Sequence, residues 1–404
     1  MGLVMCTSFK PVSSVAAAGL QRLVVENIGQ HRASPLDDLL APLTRLTALQ
    51  LEFNGCLPAH LAQLTALREL KLTGCCSPSQ LELHSVLSAL TQLTALSLWI
   101  TIAHDSCGLP ELPSLQSLTI SMLSDGGLAL LAASCPALVS LTTSRCTVTA
   151  NAKDAAARLP ALTSLTVSKD LQPPHGSAAG FSLAACAPAL KSLSVTTSTP
   201  LIRPSAIALV DKLVGLRELE LCTQSGREPW VMGAREWQAL AALPALRSFV
   251  GSSIHLGEGT ADMAACVSAC ARLMRLRLRL RVSDSQVRCC VALVAAMRCS
   301  RVQAFNLTWD LDEAGGAGPD ERFTPFWEHL ASWQCLSHAR FGFVCTAEQL
   351  SVLCANPTVT RIELSSPDGL DAAEAAHILA RARQLMQAHG AKELNISIYG
   401  LCRR

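Results

Sequence analysis

One eight-residue pattern, repeated along the chain, constrains the fold more than any other feature of the sequence. Its clearest copies read LPSLQSLT at 112–119, CPALVSLT at 135–142, LPALTSLT at 159–166, APALKSLS at 187–194 and LPALRSFV at 243–250. Looser copies extend the pattern to about fifteen units between residues 20 and 396. Each copy ends in alternating apolar and polar residues, which predicts a turn followed by a short strand. Such units must stack, because none is large enough to bury a core alone.

The stretch from Ser124 to Thr143 shows one whole unit. Ser124 precedes Asp125 and a run of apolar residues at mixed three- and four-residue spacing, which predicts a capped short helix. Pro136 cannot continue a helix, and the strand pattern begins directly after it. The repeating unit is therefore predicted to be one helix and one strand.

Successive strands are separated by 21 to 34 residues, and leucine fills most of the recurring positions. In both respects the chain resembles the leucine-rich-repeat family over nearly its whole length. The segment from Ser124 to Pro136 is similar to the cysteine-containing subtype found in F-box-type substrate receptors. The resemblance implies an α/β fold, a curved solenoid (horseshoe) of about fifteen irregular repeats with strands on the concave face. It also implies a non-enzymatic scaffold that binds a protein partner on that face. The alternative is a substrate-recognition subunit of a ubiquitin ligase lacking its own F-box, since repeats that begin near Ala17 leave no room for one.

We expect residues 1–16 to be a leader or N-terminal cap, and residues 17–404 to be one repeat domain including a C-terminal cap. The composition is 50% hydrophobic but only 4% aromatic, which predicts a core of leucine, valine and alanine. Two longer connections, 225–237 and 311–327, are predicted to be loops. The common phosphate-binding and hydrolase motifs are missing from the sequence, so we expect no catalytic residues and no cofactor.

Many of the 18 cysteines recur at equivalent repeat positions, which favours buried thiols in a reducing, intracellular and cytoplasmic setting. The alternative that the N-terminus is an organellar transit peptide remains, because no acidic residue precedes Glu26. Cys266 and Cys270 lie four apart on a predicted helix, as zinc ligands would. Without a nearby histidine or a CxxC motif, core cysteine is the favoured interpretation and no metal is expected. A net charge of +2 argues against nucleic acid as a partner, and no membrane span is expected.

The strand residues that alternate with the leucines should face away from the core. On one strand these are Arg275, Arg277, Arg279 and Arg281, with Arg340 two repeats later and Trp99 in an early repeat. We take these six as candidate partner-binding residues, suited to an acidic peptide or segment. The other interpretation is that the acidic stretch 310–321 of the chain itself folds over the arginines.

Overall fold

The computed structural model describes most of the 404-residue chain. The described residues are 2–6, 20–28, 34–53, 57–74, 80–99, 109–146, 159–170, 184, 187–197, 213–223, 230–231, 234–255, 263, 265, 267, 270, 272–281, 284–297, 300–310, 324–342, 346–365, 376–377, 380–381, 384, 387 and 395–399. They fall into two compact units, Met1–Val195 and Thr196–Arg404.

Unit 1 alternates strands with short helices. Its strands are β1 Gly2–Cys6, β2 Arg22–Ile28, β3 Ala48–Phe53, β4 Glu69–Thr73, β5 Ala95–Trp99, β6 Ser117–Leu123, β7 Ser140–Cys146, β8 Ser164–Asp170 and, at its end, β9 Ser192–Thr197. Its helices are α1 Ser34–Leu40, the 3₁₀ helix Ala59–Gln63, α2 Gln80–Ala89 and α3 Asp125–Ser134. From β1 to β8 each strand pairs in parallel with the next one in the sequence.

The repeated octapeptide forms the turn and the start of the strand. The backbone N–H of Leu138 donates to the carbonyl of Cys135 at 3.2 Å, which closes the turn around Pro136. The carbonyl of Gln116 then accepts two N–H groups of the next repeat, from Val139 at 2.8 Å and from Ser140 at 2.9 Å. In both units, one carbonyl of a repeat accepts two such hydrogen bonds from the next repeat. These strands therefore begin in register with the repeat before them.

The helical half of the unit also forms as the sequence predicts. The Ser124 hydroxyl accepts a hydrogen bond from the backbone N–H of Gly127 and caps α3, which ends at Ser134 before Cys135 and Pro136. Where the connection is shorter, only one 3₁₀ turn fits, at Ala59–Gln63. Each helix therefore bridges two parallel strands and packs its apolar side on the sheet.

Unit 2 continues the alternation of strands and helices. Its strands are β10 Glu218–Thr223, β11 Trp230–Val231, β12 Ser248–His255, β13 Arg275–Arg281, β14 Ala304–Asp310, β15 His338–Gly342, β16 Arg361–Ser365 and β17 Asn395–Tyr399. Its helices are α4 Ala234–Ala241, α5 Asp284–Ala296, α6 Thr324–Ala331 and α7 Ala347–Cys354. All strand pairings from β12 to β17 are parallel, and a capping box between Thr346 and Gln349 starts α7.

The core of unit 2 contains large aromatic side chains, which differs from the predicted leucine, valine and alanine core. The rings of Trp327 and Phe341 meet edge to face at 4.9 Å, and those of Phe305 and Trp333 at 5.2 Å. All four are at most 2% exposed. The few aromatic residues are concentrated in these layers, which the average composition could not show.

The prediction of a loop over 225–237 is wrong at its C-terminal end. Trp237 lies in α4, is 2% exposed and packs edge to face on Phe249 at 5.9 Å. Trp230 lies in the two-residue strand β11, which pairs with β12. The predicted loop over 311–327 likewise extends too far, because α6 begins at Thr324 and buries Trp327. Both segments contain glycine and proline, which favour a loop, and the apolar spacing of each helix begins only after them.

Burial alternates along the strands of both units, as in β4, where Leu70 and Leu72 are buried and Lys71 is exposed. In each unit, one face of the strands thus packs against the helices and the opposite face carries the polar residues. We call this second face the outward strand face. Parallel strands in register, the short helices that the described connections contain and a leucine core confirm the predicted leucine-rich-repeat fold. Within the predicted leader, Gly2–Cys6 forms a strand beside β2, and the boundary at residue 16 stays a prediction.

Candidate functional site

The arginine strand β13 has the alternation that the sequence predicts. Leu276 and Leu278 are 1% and 0% exposed, whereas the side chains of Arg275, Arg277 and Arg279 are exposed on the outward strand face. Because alternate side chains of a strand point to opposite faces, burying the leucines forces the arginines outward. Arg281 ends the strand, opposite Asp310 of β14 in the backbone register.

Parallel register sets these arginines in rows across the sheet. One row runs Val250, Arg277, Asn306, Arg340 and Glu363 from β12 to β16, and the row before it runs Ser248, Arg275, Ala304, His338 and Arg361. The neighbours of Arg275 and Arg277 on β12 are therefore small. Arg340, two strands from Arg277, belongs to the same surface as predicted.

These rows line a cavity of about 580 Å³ on the outward strand face. Arg275, Arg277, His338, Arg340 and Glu363 contribute its charged and titratable groups. Its floor includes Asn306, whose Oδ1 atom is buried and accepts no hydrogen bond from the described residues. The cavity thus combines apolar surface with mainly cationic charged groups, and it suits an occupant that offers hydrogen-bond donors and negative charge.

Glu363 supplies negative charge at one end of this surface. Although it occupies an outward position, it is only 5% exposed, because three basic side chains surround its carboxylate. Nε2 of His338 and Nη1 of Arg340 each lie 3.5 Å from a carboxylate oxygen, and Nη2 of Arg361 contacts Oε1. This cluster of Glu363, His338, Arg340 and Arg361, here called the Glu363 cluster, shows that the surface can hold a carboxylate.

The Glu363 cluster also affects the titration of its histidine. Burial lowers the pKa of His338 below its ordinary value of 6.5, and the charges of Arg361 and Arg340 lower it further. Glu363 acts in the opposite direction and favours the protonated ring, but it does not outweigh burial. His338 is therefore neutral at neutral pH, and the guanidinium groups carry the positive charge of the cluster.

The arginines of β13 lie in a different electrostatic setting from Arg340. Among the described residues, no carboxylate forms an ion pair with Arg275 or Arg277, whereas Arg340 is paired with Glu363. Arg279 interacts with other groups of the chain. The acidic stretch 311–321 and the side chain of Arg281 lie outside the described residues, so whether that stretch covers the arginines stays a prediction to be tested.

Trp99, the remaining candidate, lies in unit 1, whereas the candidate arginines lie in unit 2. It ends β5 opposite Thr73 of β4 and is 41% exposed. The outward strand face of unit 1 has its own shallow cavity of about 170 Å³, lined by residues that include Arg22, Gln50 and Lys71. Farther along this unit the outward positions carry half-buried serine and threonine residues such as Thr142 and Thr166.

Several cysteines of unit 2 are buried in its core, which bears on the question of a metal site. Cys270 and Cys290 are buried, and the Cys270 thiol donates to the Leu240 carbonyl at 3.8 Å, as a core cysteine would. Burial raises the pKa of the Cys354 thiol to about 11. The described residues contain no group of three histidine, cysteine or acidic side chains placed to hold a metal ion. Cys266 lies outside them, so the expectation of no zinc stays a prediction.

Among the described residues, no helix is both long and apolar enough to cross a membrane.

Sequence reasoning missed the Glu363 cluster. Its members lie on two neighbouring strands, so the pairing of Arg340 with Glu363 is not visible within either segment alone. A signal was present, since aligning the repeats on their leucines places Glu363 beside Arg340. The same alignment places Asn306 between Arg277 and Arg340.

Comparison with known proteins adds a structural likeness. No protein-family model matches the chain. No curated protein matches it either. Among solved structures, a leucine-rich-repeat protein of Leptospira interrogans is similar to it, with a TM-score of 0.41 and 14% identity over 93% of this chain and 83% of that one. The fold assignment rests on the turns, register and alternating burial of this chain itself.

Proposed function

We propose that this protein is a non-enzymatic interaction scaffold that binds a protein partner on its outward strand face. The observation that carries the proposal is the exposure of that face. Parallel sheets are usually covered on both sides, because each of their faces needs apolar packing to be stable. Here one side packs against helices, and on the other side the described elements leave polar and charged side chains accessible.

The outward strand face suits binding better than catalysis. Its side chains are held by strands whose register is fixed in every repeat, so a partner meets a preorganised surface and the chain loses little entropy on binding. The titratable groups of the Glu363 cluster pair with one another rather than activating a nucleophile. The F-box-like resemblance supports a receptor role only through the sequence pattern, so ligase adaptors are one class of partner that the experiment would identify.

Photo-crosslinking tests the proposal. A photoreactive residue is placed at an outward strand position, Thr142 or Asn306, and in matched variants at an exposed helix position, Leu130 or Glu328. We expect crosslinks to partner protein at the strand positions, and we expect excess unlabelled protein to suppress them. Crosslinks found only at the helix positions would place the partner on the opposite side and refute the proposal.

A further inference from the structure

We infer that Arg275 and Arg277 bind carboxylates of an extended acidic segment of a partner protein, laid along β13. This inference rests on the proposed function, which places a partner on the outward strand face. It adds the position of the site and the chemistry of the segment. The occupant is a chain with glutamate or aspartate at alternate positions.

Charge complementarity supports an acidic occupant. At the β16 end of the surface, one carboxylate of the chain already faces His338, Arg340 and Arg361. At the β13 end, Arg275 and Arg277 face the same cavity with no ion-pair partner among the described residues. Two like charges on one strand face oppose folding, and carboxylates from a partner would remove that repulsion. Guanidinium groups also bind carboxylates in a bidentate geometry, which makes arginine well suited to this role.

The spacing of the two arginines fits an extended segment. Alternate residues of a strand are about 6.6 Å apart along its axis, in the protein and in an extended partner alike. Carboxylates two residues apart on the partner therefore match Arg275 and Arg277. Ser248 and Ala304, which flank Arg275 in the register, are small and leave space for the main chain of the segment.

The acidic stretch of the chain itself is a poorer occupant for these two arginines. It leaves β14 at Asp310, opposite Arg281, and Arg275 lies six residues back along β13, a distance of about 20 Å. Residues 311–323 span at most about 45 Å when fully extended. They would have to cover that distance and return to the start of α6 at Thr324. Arg281 is therefore the arginine of β13 nearest to the start of the stretch, and Arg275 is the farthest from it.

A protein segment is also favoured over nucleic acid. The 33 basic residues of the chain are nearly balanced by 31 acidic ones. Nucleic-acid binding draws its affinity from several simultaneous phosphate contacts, and among the arginines of this surface Arg340 and Arg361 are already paired with Glu363. Glu363, on the same surface, would also repel a phosphate backbone that ran across the rows.

The test measures fluorescence anisotropy of a labelled peptide in which glutamate and threonine alternate. The variant is Arg275→Ser with Arg277→Ser. The matched control is Arg22→Ser with Lys71→Ser, which removes two positive charges from exposed outward positions of β2 and β4 in unit 1. We expect the β13 variant to weaken binding by at least about tenfold and the control to change it by less than about twofold. A peptide of alternating lysine and threonine should not bind.

A third variant tests the acidic stretch of the chain. Changing Asp312, Glu313, Asp320 and Glu321 to their amides should leave peptide affinity within about twofold of the original protein. A gain of tenfold or more would show that the stretch occupies the site and would overturn the inference. Equal losses in the β13 variant and its control, or stronger competition by inorganic polyphosphate than by unlabelled peptide, would overturn it as well.

These outcomes separate the two proposals. If strand-face crosslinks form but the acidic peptide does not bind, the scaffold proposal stands and the arginine site is wrong. If crosslinks form only on helices, the scaffold proposal is wrong whatever the peptide does. Urea denaturation of the β13 variant checks its fold, which should be unchanged because both arginine side chains are exposed.

Discussion

Replacing Glu363 with glutamine should destabilise unit 2, because it removes the only negative charge among four clustered side chains. The carboxylate is 5% exposed, and its oxygens contact His338, Arg340 and Arg361. Glutamine keeps the size of the side chain. It leaves two guanidinium groups close together on adjacent strands without a counter-charge.

The structure sets the size of the effect. Breaking a fully buried ion pair costs about 3 to 5 kcal/mol. Here the side chains of His338, Arg340 and Arg361 are 36%, 37% and 50% exposed, so water replaces part of the lost interaction. We therefore expect a loss of about 1 to 3 kcal/mol in the free energy of unfolding. For a unit of about 200 residues this corresponds to a fall in Tm of roughly 3 to 10 °C.

Urea denaturation at pH 7, in low and in high salt, measures this loss. The matched control is Glu52→Gln, which changes an exposed outward glutamate of β3 and should shift stability by less than about 0.5 kcal/mol. Salt should reduce the deficit of Glu363→Gln, since it screens the remaining repulsion between the arginines. A Glu363→Gln protein as stable as the original, or no less stable than the control variant, would refute the role of the Glu363 cluster in stability.

Three further predictions follow from particular contacts. Folding lowers the pKa of His338, so below pH 6.5 the unfolded chain binds more protons than the folded one. The free energy of unfolding should therefore decline as the pH falls below that value. Denaturation curves of His338→Gln should lack this part of the pH dependence. Trp333→Phe removes the donor of a 2.9 Å hydrogen bond to the Val294 carbonyl. Urea denaturation should show a loss of about 1 to 3 kcal/mol in the free energy of unfolding, whereas equal stability would show that the bond contributes nothing. At Gly342 an added Cβ would lie 2.6 Å from Cγ2 and 2.8 Å from Cβ of Thr308, so Gly342→Ala should cost about 1 to 3 kcal/mol in urea denaturation. Thr308→Ser removes only Cγ2 and should restore a small part of that loss, whereas a Gly342→Ala protein as stable as the original would contradict the close approach.

The repeated octapeptide was sufficient to predict most of the fold. Leu138 and Leu141 lie in a turn and a strand because proline interrupts the helix and period-two alternation follows it. Trp237 was misassigned because a glycine and a proline lie close before it, and the apolar spacing of α4 begins only after them. The outward positions of Arg275 and Arg277 could be predicted, since burial of the intervening leucine determines them.

The electrostatic partners on that face could not be predicted in the same way. Aligning the repeats on their leucines places Glu363 beside Arg340, but it does not give the side-chain conformations. Three basic side chains, those of His338, Arg340 and Arg361, lie near the one carboxylate, and their distances to it depend on rotamers that periodicity does not determine. Periodicity therefore locates the strands and their outward positions but does not assign the ion pairs.

The most direct test of the arginine site is a charge reversal of both partners. Arg275→Glu with Arg277→Glu is titrated with the alternating glutamate–threonine peptide and with its lysine–threonine counterpart, and Arg22→Glu with Lys71→Glu serves as the control. If the peptide lies along β13, the first variant should lose the acidic peptide and gain the basic one, and the control should keep the preference of the original protein for the acidic peptide. A reversed protein that still prefers the acidic peptide, or a control that switches preference equally, would contradict binding at Arg275 and Arg277.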